Sequence, residues 1–507
     1  MVFRRKFPWG QRAGLFAAAL LVLPSSSFAA SGDSALSATL QKLAGEAWKA
    51  DIDVGLMVVD LDTGEQLFEH NADKSYNPAS VTKVLTTAAA LDALGPGYKF
   101  KTRVARAGKL EGGVIKGDLV LRGDGDPSLT LERLWRLASL VKVAGVSEIT
   151  GDLVIDDSYF DREREGSGYD DFDDNRAYTA PVGAISATWN TVAVAVRPGA
   201  KAGAPLDVAL DPPTAYVTLV NKGKTSGPGE RRRVGVIIDH AKKTITVSGS
   251  MPLYHPEKAY YRPIDDPPKY FATLLREYLA KEGVVVRGGI RTGENAAVPP
   301  NSTPLFDFES EPLGVIVRDL NKFSNNFTAE QILKGLGAWR YGAPGTTQKG
   351  LDAVGEFLEK RGVAKGSFTI RNGSGLARDN KVSPRTFLAA LSGAYDDFEV
   401  RGDFVASMGI AGEDGTLAHR MIGTPAEGNI RAKTGTVDGS TCIAGYARAA
   451  NGHTLAFAIL MNGVGGKVRR AVGIQDRVGS ALASWQGPPT RLAEPVPPPK
   501  PPETAIP

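Results

Sequence analysis

Three short segments of the chain combine serine, lysine and asparagine in a pattern suited to acyl transfer. They are, in chain order, Ser80-Val-Thr-Lys83, Ser324-Asn-Asn326 and Lys433-Thr-Gly435. A serine becomes an effective nucleophile only when a neighbouring base takes its proton. Residues three apart on a helix share one face, so Lys83 can serve as that base for Ser80. The pattern predicts an acyl-enzyme formed on Ser80 without a catalytic histidine.

The other polar groups of these segments have complementary roles in the same chemistry. Lys83 can accept a proton only if its amine is partly neutral, and burial together with the nearby cation Lys433 lowers a lysine pKa in that direction. Ser324 offers a hydroxyl that can relay the proton to a leaving amine. Asn326 carries both a donor and an acceptor, which suits it to orient Lys83 and a substrate peptide group. We therefore predict Ser80 as nucleophile, Lys83 as general base and Lys433 as an electrostatic partner.

The segment from Lys433 to Thr436 has the alternation of a β-strand that could lie beside a substrate. Alternation puts Lys433 and Gly435 on one face and both threonines on the other, unless a bulge redirects one side chain. We expect Gly435 to remove a side chain where a substrate backbone approaches. Lys433, Thr434 and Thr436 are predicted to bind the terminal carboxylate of an extended peptide. The backbone N–H groups of Ser80 and Thr436 are the predicted oxyanion donors.

Local context separates the Ser80 segment from a second match to the same pattern. Ser139-Leu-Val-Lys142 lies inside residues 131–143, whose apolar spacing predicts an amphipathic helix. Ser80 instead follows Asn77-Pro-Ala and opens the predicted helix 81–94, which ends at Gly95-Pro. A helix N-terminus favours developing negative charge. The alternative for Ser80 is an ordinary helix N-cap.

The two ends of the chain differ from its interior. A basic N-terminal segment, the apolar run 13–23 and a small-residue site near Ala29 predict a signal peptide over residues 1–29 and export to the periplasm. An uncleaved membrane anchor is the alternative. Residues 487–507 are rich in proline and predict a tail without a fold of its own. The formal charge of +4 comes from the leader, so the remaining chain is neutral and offers no footprint for nucleic acid.

The long interval between Ser80 and Ser324 predicts an inserted region within a discontinuous catalytic domain. We place the catalytic domain at residues 30–98 and 264–486, and the insert at 99–263, where strand-like runs are frequent. The catalytic segments carry several helix signals, followed by strand signals at residues 430–434, 442–449 and 454–461. The predicted fold class is α+β, with helices on an antiparallel sheet and a large, mainly β insert.

Nothing in the sequence indicates a metal or another cofactor. The five histidines are scattered without the spacing of metal ligands. Asp124 and Asp126 lie in Gly123-Asp-Gly-Asp-Pro, which lacks the rest of an EF-hand loop and predicts a turn. A lysine-based mechanism requires neither a metal nor a histidine.

The motif set resembles the penicilloyl serine transferase superfamily. With its long insert, the chain is similar to class C low-molecular-mass penicillin-binding proteins (penicillin-binding protein 4 type). The similarity extends over nearly all of the chain after residue 29. Beyond the three motifs it includes Leu121-Arg-Gly-Asp-Gly-Asp-Pro, Tyr178-Thr-Ala-Pro with Asn190, Asn372-Gly-Ser-Gly-Leu and Ala411-Gly-Glu-Asp-Gly-Thr-Leu. One position departs from the pattern, because the family often has aspartate where this chain has Asn372.

The resemblance implies a β-lactamase/transpeptidase-like catalytic domain. It also implies D-Ala-D-Ala carboxypeptidase and endopeptidase activity on peptidoglycan stem peptides and cross-links, with inhibition by β-lactams. Two alternatives stay open: a β-lactamase, which would need a fast route for hydrolysing the acyl-enzyme, and a non-catalytic cell-wall scaffold or β-lactam sensor. The sequence leaves undecided the oligomeric state, peripheral membrane association, the balance of peptidase and transpeptidase activities and the preferred third residue of the stem peptide.

Overall fold

The structure of the chain, a computed structural model, describes residues 34–169, 175–293, 298–299 and 301–487. The predicted signal peptide and all but the first residue of the predicted tail lie outside these ranges. The described α-helices, α1 to α10, are Ser34–Lys49, Thr82–Leu94, Leu131–Val143, Pro267–Lys281, Leu313–Phe323, Asn326–Tyr341, Thr347–Glu359, Pro384–Asp396, Phe398–Ser407 and Val468–Ala483. Within the described ranges, no helix has the length and apolar character needed to cross a bilayer.

The β-strands of the described residues form four sheets, which together with the helices give the predicted α+β class. In chain order, β1 to β20 are Asp53–Asp60, Gln66–His70, Lys101–Glu111, Val114–Gly123, Glu148–Ile149, Leu153–Asp156, Thr191–Arg197, Asp207–Asp211, Thr218–Asn221, Lys224–Ser226, Arg233–Asp239, Thr244–Pro252, Lys258–Pro263, Val285–Val286, Ile290–Thr292, Thr303–Glu309, Gly409–Ile410, Ile430–Val437, Ser440–Arg448 and Thr454–Asn462.

A six-stranded antiparallel sheet forms the centre of the catalytic region, in the order β17-β18-β19-β20-β1-β2. Along its buried strands, alternate side chains enter two separate cores. On one face, residues such as Leu460 pack with helices α2 and α5 to α9. On the other face, residues such as Met461 pack with α1 and α10. The sheet is therefore a middle layer between helices, and its apolar residues alternate between the two faces.

The insert has its own hydrophobic core, and this core extends past the predicted boundary at residue 263. A seven-stranded sheet has the order β14-β5-β4-β3-β16, with β6 and β15 attached to it. Strands β14 to β16 thus complete a sheet that begins in the insert. Helix α4 buries Tyr270, Phe271 and Leu274 in the same core. The sequence pattern assigns residues 264–486 to the catalytic domain because the chain turns helical after residue 263, but the apolar face of α4 packs on insert strands.

Helices α2 and α5 both end at a residue with a positive φ. Helix α2 ends at Gly95, whose φ of 77° is accessible to glycine. Helix α5 ends at Ser324, which is left-handed at φ 58°. Helix α6 starts two residues later, and the Asn325 side chain caps it by accepting a hydrogen bond from the Thr328 N–H at 2.9 Å. The α5–α6 corner therefore holds the middle motif against α2 and β18.

Candidate active site

Ser80 lies in a 3-10 turn, Ala79–Val81, that leads directly into α2. Neither the turn nor the helix has a side-chain cap, so Ser80 is not an ordinary N-cap. Ala79 has a left-handed backbone with φ 48°, a conformation that is costly for a residue with a Cβ. Gly375 accommodates this turn, because a Cβ there would lie 1.9 Å from the Ala79 carbonyl oxygen. Backbone strain beside a nucleophile is typical of functional sites.

The Lys83 amine is fully buried at the centre of the site. Its Nζ lies 3.0 Å from Ser80 Oγ, 2.7 Å from Asn326 Oδ1 and 2.6 Å from the Ser374 carbonyl oxygen. Burial, and then the charge of Lys433, lower the Lys83 pKa well below the usual lysine value, and Glu330 partly opposes this shift. The pKa shift favours a neutral amine beside the Ser80 hydroxyl.

Lys433 and Ser324 form the second polar pair of the site. Lys433 Nζ donates to Ser324 Oγ at 2.8 Å and to the Thr434 carbonyl oxygen at 2.7 Å. Burial lowers the pKa of Lys433 to about 7. The structure thus brings together all five residues predicted for acid–base and electrostatic roles: Ser80, Lys83, Ser324, Asn326 and Lys433.

Strand β18 presents the predicted carboxylate-binding residues along an open edge. Lys433 and Gly435 are buried, whereas Thr434 is half-buried and Thr436 is exposed, as the predicted alternation requires. Strand β17 pairs with β18 only at residues 431–432, and no described strand pairs with 433–437 on that side. The Thr434 hydroxyl donates to Thr416 Oγ1 at 2.7 Å, and the Thr436 and Thr441 hydroxyls are 3.3 Å apart. The edge could therefore receive an extended peptide.

Gly435 leaves room for another segment of the protein's own backbone. A Cβ at this position would lie 2.7 Å from the Ser80 nitrogen and 2.8 Å from both the Pro78 oxygen and the Val81 nitrogen. The turn carrying Ser80 is therefore a backbone segment that approaches Gly435 in this structure. The buried face of β18 packs on this turn, so the missing side chain sets the distance between the nucleophile and Lys433.

The sequence interpretation missed a buried carboxylate, Glu330, that holds the backbone segment contacting Lys83. Glu330 on α6 is buried, and its two oxygens accept the N–H groups of Gly373 and Ser374 at 3.0 and 2.8 Å. The Ser374 carbonyl in turn accepts a hydrogen bond from Lys83. Glu330 therefore fixes an acceptor of the base and adds a negative charge nearby. Family resemblance alone indicates the segment Asn372-Gly-Ser-Gly, and the sequence predicts no role for it in the site.

The insert also contributes to the site, through contacts that the sequence interpretation did not foresee. The carbonyl of Tyr178 accepts a hydrogen bond from Asn326 Nδ2 at 3.0 Å. The carbonyl of Ser167 accepts one from Asn372 Nδ2 at 2.8 Å. The buried Tyr169 hydroxyl lies 3.5 Å from Ser374 Oγ. The insert therefore forms one wall of the site and helps to orient Asn326.

A possible metal-ligand group occurs elsewhere in the described part of the chain. Asp60, Asp62 and His453 have ligand atoms within 4.8 Å of one another. His453 Nδ1 is 2.7 Å from Asp60 Oδ2, while Asp60 Oδ1 accepts the Asp62 N–H and Asp62 Oδ2 accepts the Thr454 N–H. These bonds hold the β1–β2 turn against β20. The three residues therefore already have structural partners at a turn outside the Ser80 site.

Glu330→Gln is expected to move the acidic limb of the acylation pH profile to lower pH. The carboxylate stabilises protonated Lys83, so its removal lowers the Lys83 pKa further and makes the neutral base available at lower pH. One buried N–H also loses its acceptor, which should cost about 1–3 kcal/mol of stability. Acylation by a fluorescent penicillin measured against pH, with Glu356→Gln on α7 as the control, tests this. A uniform loss of rate without movement of the limb would leave Glu330 a merely structural role.

Sequence comparisons identify relatives of this chain. The model of the D-Ala-D-Ala carboxypeptidase 3 (S13) family matches residues 36–480. A D-alanyl-D-alanine carboxypeptidase of Actinomadura sp. is 35% identical over 450 residues, which cover 85% of this chain and 81% of that protein.

Solved structures show the same fold. The crystal structure of penicillin binding protein 4 from Haemophilus influenzae matches with a TM-score of 0.76 and 24% identity, covering 88% of this chain and 99% of that one. A second structure of that protein, complexed with a β-lactam, matches with a TM-score of 0.69 and 24% identity, covering 87% and 98% of the two chains. The arrangement of helices, central sheet and insert is thus shared with these proteins.

Proposed function

Because the chain belongs to the D-Ala-D-Ala carboxypeptidase 3 (S13) family, we propose that it hydrolyses the terminal peptide bond of peptidoglycan stem peptides through an acyl-enzyme on Ser80. The chain is a peptidase of the class C, penicillin-binding protein 4 type. The observation that carries the proposed mechanism is the contact of a buried Lys83 amine with Ser80 Oγ, 3.0 Å away. A serine with such a base nearby can act as a nucleophile.

In the proposed acylation, neutral Lys83 takes the Ser80 proton. A neutral amine has two N–H groups, and the Asn326 side chain and the Ser374 carbonyl can accept both. Its lone pair then faces the Ser80 hydroxyl. As Ser80 Oγ bonds to the carbonyl carbon of the penultimate D-Ala, the proton passes to Lys83. In this proposal, Asn326 and Ser374 therefore orient the base.

The proposed second half of the step expels D-Ala and then releases the peptide. Protonated Lys83 passes the Ser80 proton to the departing amine through the Ser324 hydroxyl, which is hydrogen-bonded to Lys433, as the C–N bond breaks. Lys83 is then neutral again. Protonated Lys433 provides positive charge for the substrate carboxylate and keeps Lys83 neutral. The N–H groups of Ser80 and Thr436 stabilise the oxyanion. Water then attacks the ester, Lys83 takes a proton from it, and Ser80 regains its hydrogen.

Amidation of the terminal D-Ala is expected to lower kcat/KM by about 10-fold or more, because a charged hydrogen bond is lost. The open edge at Thr434 and Thr436 beside Lys433 motivates this prediction. Release of D-Ala from a free-acid pentapeptide and from its amide should be compared for wild type and Thr436→Val. In the variant the penalty of amidation should be much smaller. Equal cleavage of acid and amide by wild type would refute the carboxylate site.

We also propose that the enzyme cleaves cross-links, is inhibited by β-lactams and acts after export to the periplasm. The H. influenzae protein complexed with a β-lactam has the same fold, which supports the inhibition. The predicted signal peptide supports export. Assay of the mature protein on a pentapeptide and on a cross-linked peptide dimer tests the proposed activities together. Penicillin labelling without release of D-Ala from either substrate would favour a sensor or scaffold.

The β-lactamase alternative has little support at this site. Glu330 is the carboxylate after the Ser324 motif that could be taken for a base in deacylation. Both of its oxygens already accept backbone N–H groups at 3.0 and 2.8 Å. A carboxylate held in this way has little freedom to activate a water. Slow release of a penicilloyl group is therefore the expected behaviour.

A further inference from the structure

A cleft of about 850 Å³ lies beside the Ser324 motif, between α5 and the insert. Three of its lining residues present unusually exposed aromatic rings: Trp189 is 43% exposed, Tyr261 55% and Phe323 76%. The volume falls within the range of roughly 300–1,000 Å³ that is usual for ligand sites. Aromatic rings left in water beside a catalytic centre indicate a surface that another molecule can cover.

The ring of Trp189 is held in the cleft by a strained backbone. Thr188, Trp189 and Asn190 have φ values of 50°, 54° and 51°, and none of them is glycine. The buried Asn190 amide secures the turn by donating to the Pro181 carbonyl at 2.8 Å and to Ser186 Oγ at 2.9 Å. Strain that is maintained by a buried polar network is characteristic of ligand-binding positions.

The cleft adjoins the chain segment that carries the proposed proton relay. Phe323 and Asn325, which line it, are the immediate neighbours of Ser324 in the chain. Ser324 is the residue proposed to protonate the leaving amine. In the proposed mechanism, the group attached to that amine is therefore close to the α5–α6 corner. The cleft is therefore suited to the leaving part of a cross-linked substrate.

The charges of the cleft favour a neutral occupant with polar substituents. Arg133 pairs with Glu311 at 2.6 Å, and Asp319 pairs at 3.1 Å with Arg318, which lies outside the lining, so each charged lining residue has an ion-pair partner. Arg133 Nε has no hydrogen-bond partner within the described residues. A pyranose ring combines apolar C–H faces, which stack on aromatic rings, with hydroxyl and amide groups that hydrogen-bond to such side chains.

We propose that this cleft binds an N-acetylated sugar of the glycan strand attached to the leaving stem peptide. The proposal rests on the proposed function, and it deepens it by adding the glycan to the recognised substrate. Sugar stacking on Trp189 would hold the leaving strand while Ser324 protonates its amine. The sugar contributes binding and takes no part in the bond changes at Ser80.

The test uses two probes on the full mature protein. An N-acetylglucosamine tetrasaccharide, titrated by calorimetry, should bind wild type and bind Trp189→Ala about 3- to 10-fold more weakly. Trp339→Ala, which removes an equally accessible ring at 49% exposure outside the cleft, should bind like wild type. Cross-linked peptide dimers with and without their disaccharides should then be compared. Wild type should have the lower KM for the glycosylated dimer, and Trp189→Ala should lose this difference while cleaving the sugar-free dimer normally.

The outcomes separate this proposal from the proposed function. No tetrasaccharide binding by wild type, or equal KM values for the two dimers, would overturn the sugar site. Failure to cleave either dimer, with tetrasaccharide binding intact, would instead refute the endopeptidase activity. Trp189→Gly also removes the indole ring, and glycine adopts the left-handed backbone of this position without strain. This variant should therefore unfold at a higher temperature than Trp189→Ala. Unchanged tetrasaccharide affinity in the glycine variant would also overturn the proposal.

Discussion

Lys83→Ala is expected to slow acylation of Ser80 by roughly 10²–10⁴-fold, the usual effect of removing a general base. The Lys83 amine is the basic group beside Ser80 Oγ, and burial with the adjacent Lys433 charge lowers its pKa well below the usual value. Stopped-flow mixing with a fluorescent penicillin gives the rate. Mass spectrometry of the adduct should locate the label on the Ser80 peptide.

Lys142→Ala provides a matched control for this experiment. Lys142 has the same spacing from Ser139 as Lys83 has from Ser80, but it is exposed on α3. Its removal should leave acylation unchanged. Circular dichroism should show that both variants fold. Near-normal acylation by Lys83→Ala, or a label on the Ser139 peptide, would exclude Lys83 as the base.

Several helices and strands could be predicted from apolar patterns and turn residues in the sequence. The helix expected at 131–143 is α3, and the helix expected at 81–94 is α2 with the short turn before it. The strand signals at 430–434, 442–449 and 454–461 correspond to β18, β19 and β20. Helix α3 buries residues at helical spacing, whereas α2, β19 and β20 are apolar and buried along almost their whole length. Local pattern and tertiary packing therefore agree.

Other elements depend on packing that a local pattern does not show. Helix α5 contains Val315, Ile316 and Val317 in succession, and β-branched residues favour strands when considered alone. Its helical form depends on burying Ile316 and Val317 in the core formed with α2 and α9. Similarly, nothing local shows that α4 packs on the insert. The predicted boundary at residue 263 misses this contact for that reason.

The candidate site likewise contains residues that could be predicted from local sequence and residues that could not. Ser80 and Lys83 are close in sequence and share a helical turn, so their spacing alone predicts contact. Glu330 and Tyr169 reach the site through contacts distant in sequence, and their residue types do not reveal this. Family resemblance singled out the segment around Ser374, but the role of its carbonyl depends on backbone geometry. Side-chain chemistry could therefore be predicted, whereas the supporting backbone acceptors could not.

The charges around the base explain why the site needs both a lysine and a carboxylate. Burial and Lys433 lower the Lys83 pKa, and Glu330 raises it. Tyr169, which faces the same loop, has its pKa raised by burial and by Glu330, so its hydroxyl stays protonated. A base must be neutral but still basic enough to take a proton. The carboxylate thus partly opposes the lowering of the Lys83 pKa by burial and Lys433.

Gly435→Ala is expected to reduce acylation by about 100-fold, because a displacement of about 1 Å at a reacting group can have that effect. The added Cβ would lie 2.7 Å from the Ser80 nitrogen, and its other close neighbours are also backbone atoms of residues 78–81. Backbone atoms cannot move aside as the end of a flexible side chain can. Either β18 or the Ser80 turn must shift, and both changes alter the distance between Ser80 and Lys433.

The same variant distinguishes the two explanations for this glycine. If Gly435 accommodates the Ser80 turn, the alanine variant should unfold at a lower temperature and react slowly even with small penicillins. If it served only the approach of a substrate backbone, the melting temperature would not change and only peptide KM would rise. Gly473→Ala on α10 is the control, since nothing lies within 4 Å of its added Cβ and alanine favours a helix. Wild-type melting and acylation by Gly435→Ala would show that the turn does not depend on this glycine.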